Sequence, residues 1–268
     1  RELFPRLYEL ATDASVPTWS YLCVGADLTM SNHREHWVVP GSRSRPTSEN
    51  TVFPHGFLAP ESGWTDLLVA RVKEFLAAYP VDWLLFDWFG YGGLRPEEDP
   101  VIPADYAREP FERIIGRPMP DRAEEIPRDE QIAYKRSVLA EQFARLRDAV
   151  KTTSPDTKIM FNVPYWHARE EVWTDHPMLL ESDGLFAECS RAEVVEWLLE
   201  VRRPGQRVMT TVLGRMLEGE CDPDSWRRWH QAGCDLFGYA WGDPPDFRPH
   251  PRYEQGLKIV RAAFAEIG

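Results

Sequence analysis

The sequence predicts an α/β fold, and within that class a (β/α)8 barrel of the TIM type. Three observations lead there. Short, continuous apolar runs recur along the chain, such as Val81-Asp82-Trp83-Leu84-Leu85-Phe86-Asp87-Trp88-Phe89, and runs of this kind read as strands buried on both faces in a parallel sheet. Segments with helical periodicity lie between them, so the chain alternates strand and helix. Several of the runs end on a polar or acidic residue, and the C-terminal rim of the strands is where barrels of this type place their chemistry.

The strand candidates, in order, are 19–27 (WSYLCVGAD), 81–89, 158–163 (KIMFNV), 184–189 (GLFAEC), 207–213 (RVMTTVL) and 234–241 (CDLFGYAW). Between them, 64–79 carries Leu67, Leu68, Val72, Phe75 and Leu76 at the three- and four-residue spacing of an amphipathic helix. The same spacing places Ile132, Leu139, Phe143, Leu146 and Val150 on one face of 130–152, which Ser154-Pro155-Asp156 then ends. Shorter helices are expected at 191–201 and 224–232, with others at 2–11 and 253–266. A barrel needs eight strands, and six are legible. The simplest account is a barrel whose first two strands precede Arg1, with 1–268 forming one catalytic domain.

Two long excursions interrupt the alternation, at 28–62 and 90–129. Both are rich in proline and charge, and read as long loops. Both follow strand ends, so both belong to the rim, and loops of this length in a compact domain are commonly functional.

Composition narrows the partners. The chain of 268 residues is 43% hydrophobic, enough for a sizeable core, and carries a formal net charge of -12. That balance argues against nucleic acid and anionic membrane surfaces as partners, and no run approaches the roughly 18 apolar residues of a membrane span. The cysteines Cys23, Cys189, Cys221 and Cys234 are widely spaced, with no CxxC pair. They read as buried free thiols, which favours a reducing, cytoplasmic compartment. A Cys221–Cys234 bridge is compatible with the spacing but not implied by it. There are 11 tryptophans, several of them in polar segments, and flat aromatic faces suit the apolar faces of sugar rings.

Hydrolysis of a glycosidic bond needs two carboxylates: one that attacks or stabilises the oxocarbenium-like centre and one that protonates the leaving oxygen. Asp87 ends its strand in the context FDWFG and Glu188 in FAECS. They are the expected catalytic pair. Asp27 and Asp243 end two further strands and, as helix caps or loop anchors, serve structure equally well. Asn162 ends an otherwise apolar strand, where an amide is costly unless hydrogen-bonded. Trp166 and His167 follow it. With His33, Trp88, Tyr91, Tyr239 and Trp241, these residues make up the expected substrate-binding set. His33-Arg34-Glu35-His36 has the wrong spacing for HExxH, so no metal is expected. Gly90-Tyr91-Gly92-Gly93 lacks both GxGxxG and the P-loop Lys-Ser/Thr, so no nucleotide cofactor is expected either.

Tyr79-Pro80-Val81-Asp82 leading into an apolar run that ends in Asp87 resembles the segment that carries the nucleophile in retaining barrel glycosidases, in particular the α-L-fucosidase-like families and the uncharacterised glycoside-hydrolase-like families related to them. Leu85-Phe86-Asp87-Trp88 stands where Trp-Phe-Asp-Gly is usual. The resemblance implies that Asp87 ends the fourth barrel strand as nucleophile, and that the sixth-strand region, hence Glu188, supplies the acid/base. A carbohydrate substrate and a retaining, exo-acting hydrolase are therefore expected. Two rivals remain open at this stage: a non-catalytic carbohydrate-binding barrel, and a metal-assisted hydrolase or lyase on the same fold.

Overall fold

A computed structural model of the chain describes residues 3–40, 57–87, 89, 100–163, 173, 175–187, 191–213, 223–238, 242–243, 248–249 and 265. Its elements run α1 (Leu3–Asp13), β1 (Trp19–Cys23), α2 (Leu28–His33), α3 (Trp64–Ala78), β2 (Trp83–Asp87), α4 (Asp105–Ile115), α5 (Arg128–Thr153), β3 (Lys158–Asn162), α6 (Pro177–Glu181), β4 (Gly184–Ala187), α7 (Ala192–Val201), β5 (Arg207–Leu213), α8 (Pro223–Gln231) and β6 (Cys234–Gly238). The six strands form one sheet in sequence order, and every pair with a resolved register is parallel. All six expected strands are present, most of them trimmed by a few residues at the C-terminal end. The helix expected at 253–266 lies outside the described residues except for Ala265, which is helical.

The chain divides into two compact units, residues 1–159 with 176–178, and residues 160–175 with 179–268. In the first, β1 and β2 pair in the register Trp19↔Trp83 through Cys23↔Asp87. Their starts are clamped: Asp82 Oδ2 accepts from the Thr18 amide at 2.7 Å and from its hydroxyl at 2.9 Å, while the Asp82 amide donates to Thr18 Oγ1 at 3.0 Å. The Thr18 amide, with the other hydrogen bonds around it, holds the Asp82 carboxyl below its usual range. Since side chains alternate along a strand, one face carries Trp19, Tyr21 and Cys23 with Trp83, Leu85 and Asp87, and the other carries Leu22 with Leu84 and Phe86. The second face is the one packed on helices: Phe86 meets Phe143 of α5 edge to face at 6.4 Å. On the first, Trp19 stacks on Trp83 at 4.9 Å, and Lys158 lies over the Trp83 ring.

Helix α3 buries Trp64, Leu68, Val72 and Leu76, one per turn, and α5 buries a matching stripe from Tyr134 to Val150. A buried polar bridge joins the two, with Gln142 Nε2 donating to Thr65 Oγ1 at 2.9 Å.

The described parts of the excursions hold more regular structure than the sequence implied. The segment 90–129, expected to be a loop, contains the eleven-residue helix α4, which ends at Gly116 in the left-handed conformation. The first excursion holds α2 and a short 3-10 turn, Glu35–Trp37. Val39, Ala59, Val101, Phe111, Met119 and Ile126 bury together against Tyr134 and Val138 of α5 as one apolar cluster. Proline and charge mask the pattern in sequence because this cluster is assembled from short pieces, none of which shows a long period.

In the second unit β3, β4, β5 and β6 pair in turn, with an irregularity in β5 between Thr211 and Leu213. Gln206 ties the turn before β5 to the end of α6, its amide nitrogen donating to Leu179 O and Ser182 O at 2.7 and 2.8 Å. Trp226 and Trp229 of α8 are both fully buried.

Two stability predictions follow from buried positions. A Cβ at Gly184 would lie 2.6 Å from Met160 Cε and 3.1 Å from the Arg207 carbonyl. Gly184→Ala therefore costs about 1–3 kcal/mol, and in a thermal melt its loss is partly recovered when combined with Met160→Ala. His176 is 1% exposed, and its Nδ1 accepts from the Met178 amide at 3.3 Å, which leaves the Nε2 proton to donate to Arg136 O at 3.1 Å. Burial pushes its pKa down to about 4. The unfolded chain thus takes up this proton first, near pH 6.5. The associated stability is complete above that value and is lost as pH falls toward 4, by about 3 kcal/mol in total. Urea unfolding at pH 7.5 and pH 5 should show this loss, and His176→Asn should flatten it.

Candidate functional site

The rim of the first unit is built from β1 and β2. Each strand ends where the chain turns into an excursion, so the last inward residue of each is presented at the mouth of the sheet rather than within it. Asp87 is that residue on β2. It is 9% exposed, and its Oδ2 accepts a hydrogen bond from the Tyr21 hydroxyl at 2.7 Å. The backbone behind it is pinned as well, since the Val24 amide donates to Asp87 O at 2.7 Å. A carboxylate held rigidly at one oxygen in a low-dielectric setting is suited to nucleophilic or general-base work.

Tyr21 is a site residue that sequence reading did not single out. Its position two residues before Cys23, on the same strand face, was legible; its reach to Asp87 depends on the register between two strands 64 residues apart in the Thr18–Asp82 clamp. Cys23, read from sequence as a structural thiol, pairs in register with Asp87. Burial foremost, with the nearby Asp87 and Asp27 carboxylates, pushes its pKa up to about 11, so it stays a neutral thiol at physiological pH. Cys23 and Cys234 are both free thiols, and Cys221 lies outside the described residues.

Asp27 lies beyond the end of β1, which stops at Cys23. Its Oδ1 accepts from the Met30 amide at 2.9 Å as the N-cap of α2, and its Oδ2 pairs with Arg71 at 3.1 Å. Both oxygens are engaged in holding the first excursion to α3, the anchoring role the sequence left open. Nearby, Trp64 Nε1 donates to Val24 O at 2.6 Å and the Leu58 amide to Gly25 O at 2.8 Å. The excursion is therefore tied to the chain immediately after the in-register partner of Asp87.

His33 is exposed in the last turn of α2, a helix rather than the expected loop. His36 packs edge-on to Trp37 at 5.7 Å. Among the described residues no group of three or more His, Cys, Asp or Glu is arranged to hold a metal ion, and no helix is long and apolar enough to cross a membrane.

In the second unit Asn162 is the last residue of β3, 9% exposed. It shares a strand face with Met160, while Phe161 on the opposite face packs on Trp173 at 5.5 Å. Asp243 does not end the sixth strand, as expected: β6 stops at Gly238, and Gly242–Asp243 forms a small antiparallel pair with Arg248–Pro249. Glu188, Trp88, Tyr91, Trp166, His167, Tyr239 and Trp241 lie outside the described residues.

No protein-family model matches the chain, and no curated protein matches it. Solved structures do. α-L-Fucosidase isoenzyme 2 from Paenibacillus thiaminolyticus superposes with a TM-score of 0.63 at 17% identity, covering 97% of this chain and 38% of that one. A GH42 β-galactosidase from G. stearothermophilus gives 0.64 at 11% identity, with 98% and 48% covered. The β-galactosidase from the psychrophilic Marinomonas ef1 gives 0.64 at 9% identity, with 100% and 53% covered. The chain spans between 38% and 53% of the length of these enzymes. At such identities the likeness is one of architecture, and the fold of this chain is that of the TIM-barrel glycoside hydrolases.

Proposed function

We propose that the chain is a glycoside hydrolase, retaining and exo-acting, with Asp87 as nucleophile and Glu188 as general acid/base. The observation that carries this reading is the state of Asp87: buried, at the C-terminal end of a parallel strand, on the strand face that is not packed on helices, with one oxygen fixed by Tyr21.

In the first step a carboxylate oxygen of Asp87 attacks the anomeric carbon. The bond from that carbon to the aglycone oxygen breaks, and the Glu188 carboxyl gives its proton to the departing oxygen. In the second, Glu188 takes a proton from water as the water oxygen attacks the same carbon, and Asp87 leaves as carboxylate. Two inversions give net retention. The sugar pocket would comprise Asn162, Trp88, Trp166, Tyr239 and Trp241, with Tyr91, His167, His33 and Asp243 at its margin. Exo action is supported by the excursion module, which is anchored at Val24 and Gly25 beside Asp87 and would wall one end of the cleft. The carbohydrate substrate agrees with the acidic, tryptophan-rich chain, whose charge disfavours polyanions.

A panel of 4-nitrophenyl glycosides tests the reading. Wild-type protein should hydrolyse at least one, with the first-formed sugar keeping its anomeric configuration by NMR. Asp87→Asn should lower kcat/KM roughly a thousandfold or more; hydrolysis at the wild-type rate would remove Asp87 from the mechanism. Glu188→Gln should slow alkyl glycosides far more than 4-nitrophenyl ones, because the nitrophenolate leaves without needing a proton.

A further inference from the structure

We propose that Tyr21 is a positioning residue for Asp87. This deepens the reading above and rests on Asp87 being the nucleophile.

The argument begins with a mismatch. Tyr21 is 53% exposed, so its ring contributes little to any core, yet its hydroxyl sits 2.7 Å from a carboxylate that is 9% exposed. A tyrosine in that situation is explained by its hydroxyl. The bond is also made by rigid parts. Tyr21 pairs in register with Leu85 and Cys23 with Asp87, so Tyr21 reaches one pair along the ladder to Asp87 between two parallel strands whose starts are clamped by Thr18 and Asp82. No flexible loop intervenes. A phenol carries a single proton and an ionised carboxylate can only accept, so Tyr21 donates to Asp87. That fixes the rotation of the carboxylate about its Cβ–Cγ bond.

Cys23 lies on the same strand face, in register with Asp87. Burial, with the nearby Asp87 and Asp27 carboxylates, keeps its thiol protonated, so it brings no second charge to the Asp87 carboxylate. During turnover the Tyr21 bond would weaken as Asp87 becomes an ester and strengthen again as the carboxylate re-forms, which favours release of the sugar in the second step.

The test has two readouts, one of which needs no substrate. Aspartates are labelled with 13C at Cγ, and Asp87 is assigned by the signal lost in Asp87→Asn. In Tyr21→Phe, whose lost hydroxyl leaves the ring in place, the Asp87 titration midpoint should move upward relative to wild type. In Cys23→Ala, which leaves the Tyr21 hydroxyl in place, it should move less. On the 4-nitrophenyl glycoside that wild type hydrolyses fastest, Tyr21→Phe should lower kcat roughly ten- to a hundredfold. KM should change less than about threefold, and the acidic limb of the pH–rate profile should move upward with the NMR midpoint. An unchanged midpoint and pH profile in Tyr21→Phe would overturn the proposal, as would a larger effect in Cys23→Ala than in Tyr21→Phe. A midpoint that shifts in a protein hydrolysing nothing on the panel upholds the hydrogen bond and removes the nucleophile reading on which the positioning role depends.

Discussion

The site depends on the register between β1 and β2, and that register is set at the opposite end of the strands by Thr18 and Asp82. Side chains alternate with a period of two, so a slip of one residue would turn every side chain of a strand to the other face. Here a slip of β2 would exchange Asp87 for Phe86 at the mouth of the sheet and bury a carboxylate against Phe143. The reciprocal bonds between Thr18 and Asp82 make such a slip costly, because the Asp82 carboxylate, its amide and the Thr18 amide and hydroxyl would all lose partners at once. The stacked Trp19 and Trp83 add a second, apolar restraint one residue further on. The fold thus separates duties along two short strands, with register fixed at one end and chemistry held at the other.

The excursions show how a barrel-type scaffold can support large insertions at its rim. An insertion at a strand end needs its own apolar core or a partner, or its ordering entropy goes unanswered. This chain supplies both. The apolar cluster around Phe111 and Ile126 packs the insertions onto α5, and polar ties complete the attachment: Tyr134 donates to Glu61 at 2.6 Å, the Gln131 side chain accepts from the Val101 amide, and Arg117 pairs with Glu130. Burial, with the Glu61 carboxylate nearby, raises the Tyr106 pKa, so that phenol remains neutral within the module. The module beside Asp87 is held by its own packing.

Much of the fold was legible because barrel strands advertise themselves as uninterrupted apolar runs. The run 207–213 corresponds residue for residue to β5, and Lys158–Asn162 differs from its expected range only by Val163. Strand ends were overestimated where an apolar or aromatic tail continued into a turn, as at Val24-Gly25-Ala26-Asp27. That error misplaced Asp27: read as a strand-end carboxylate, it is instead an N-cap with an arginine partner, because the strand stops four residues earlier at Cys23. Helix α4 was hidden for a different reason. Its segment is short and highly charged, contains Pro110, and buries only Ala107 and Phe111, too few positions to declare a period. Tyr21 was hidden because a cross-strand hydrogen bond is a property of register, and register is fixed by residues far away in sequence.

These differences sharpen what distinguishes one strand-end carboxylate from another. Residue type and position were nearly the same for Asp27 and Asp87; what differs is the use made of their oxygens. Asp27 accepts from a backbone amide and an arginine, both of which hold parts of the scaffold together, so moving it would loosen α2. The Asp87 Oδ2 accepts from a phenol whose ring is half open to solvent. A hydroxyl donated to a nearly buried carboxylate from a ring half open to solvent fixes the orientation of that carboxylate, which is what the proposed chemistry needs of Asp87.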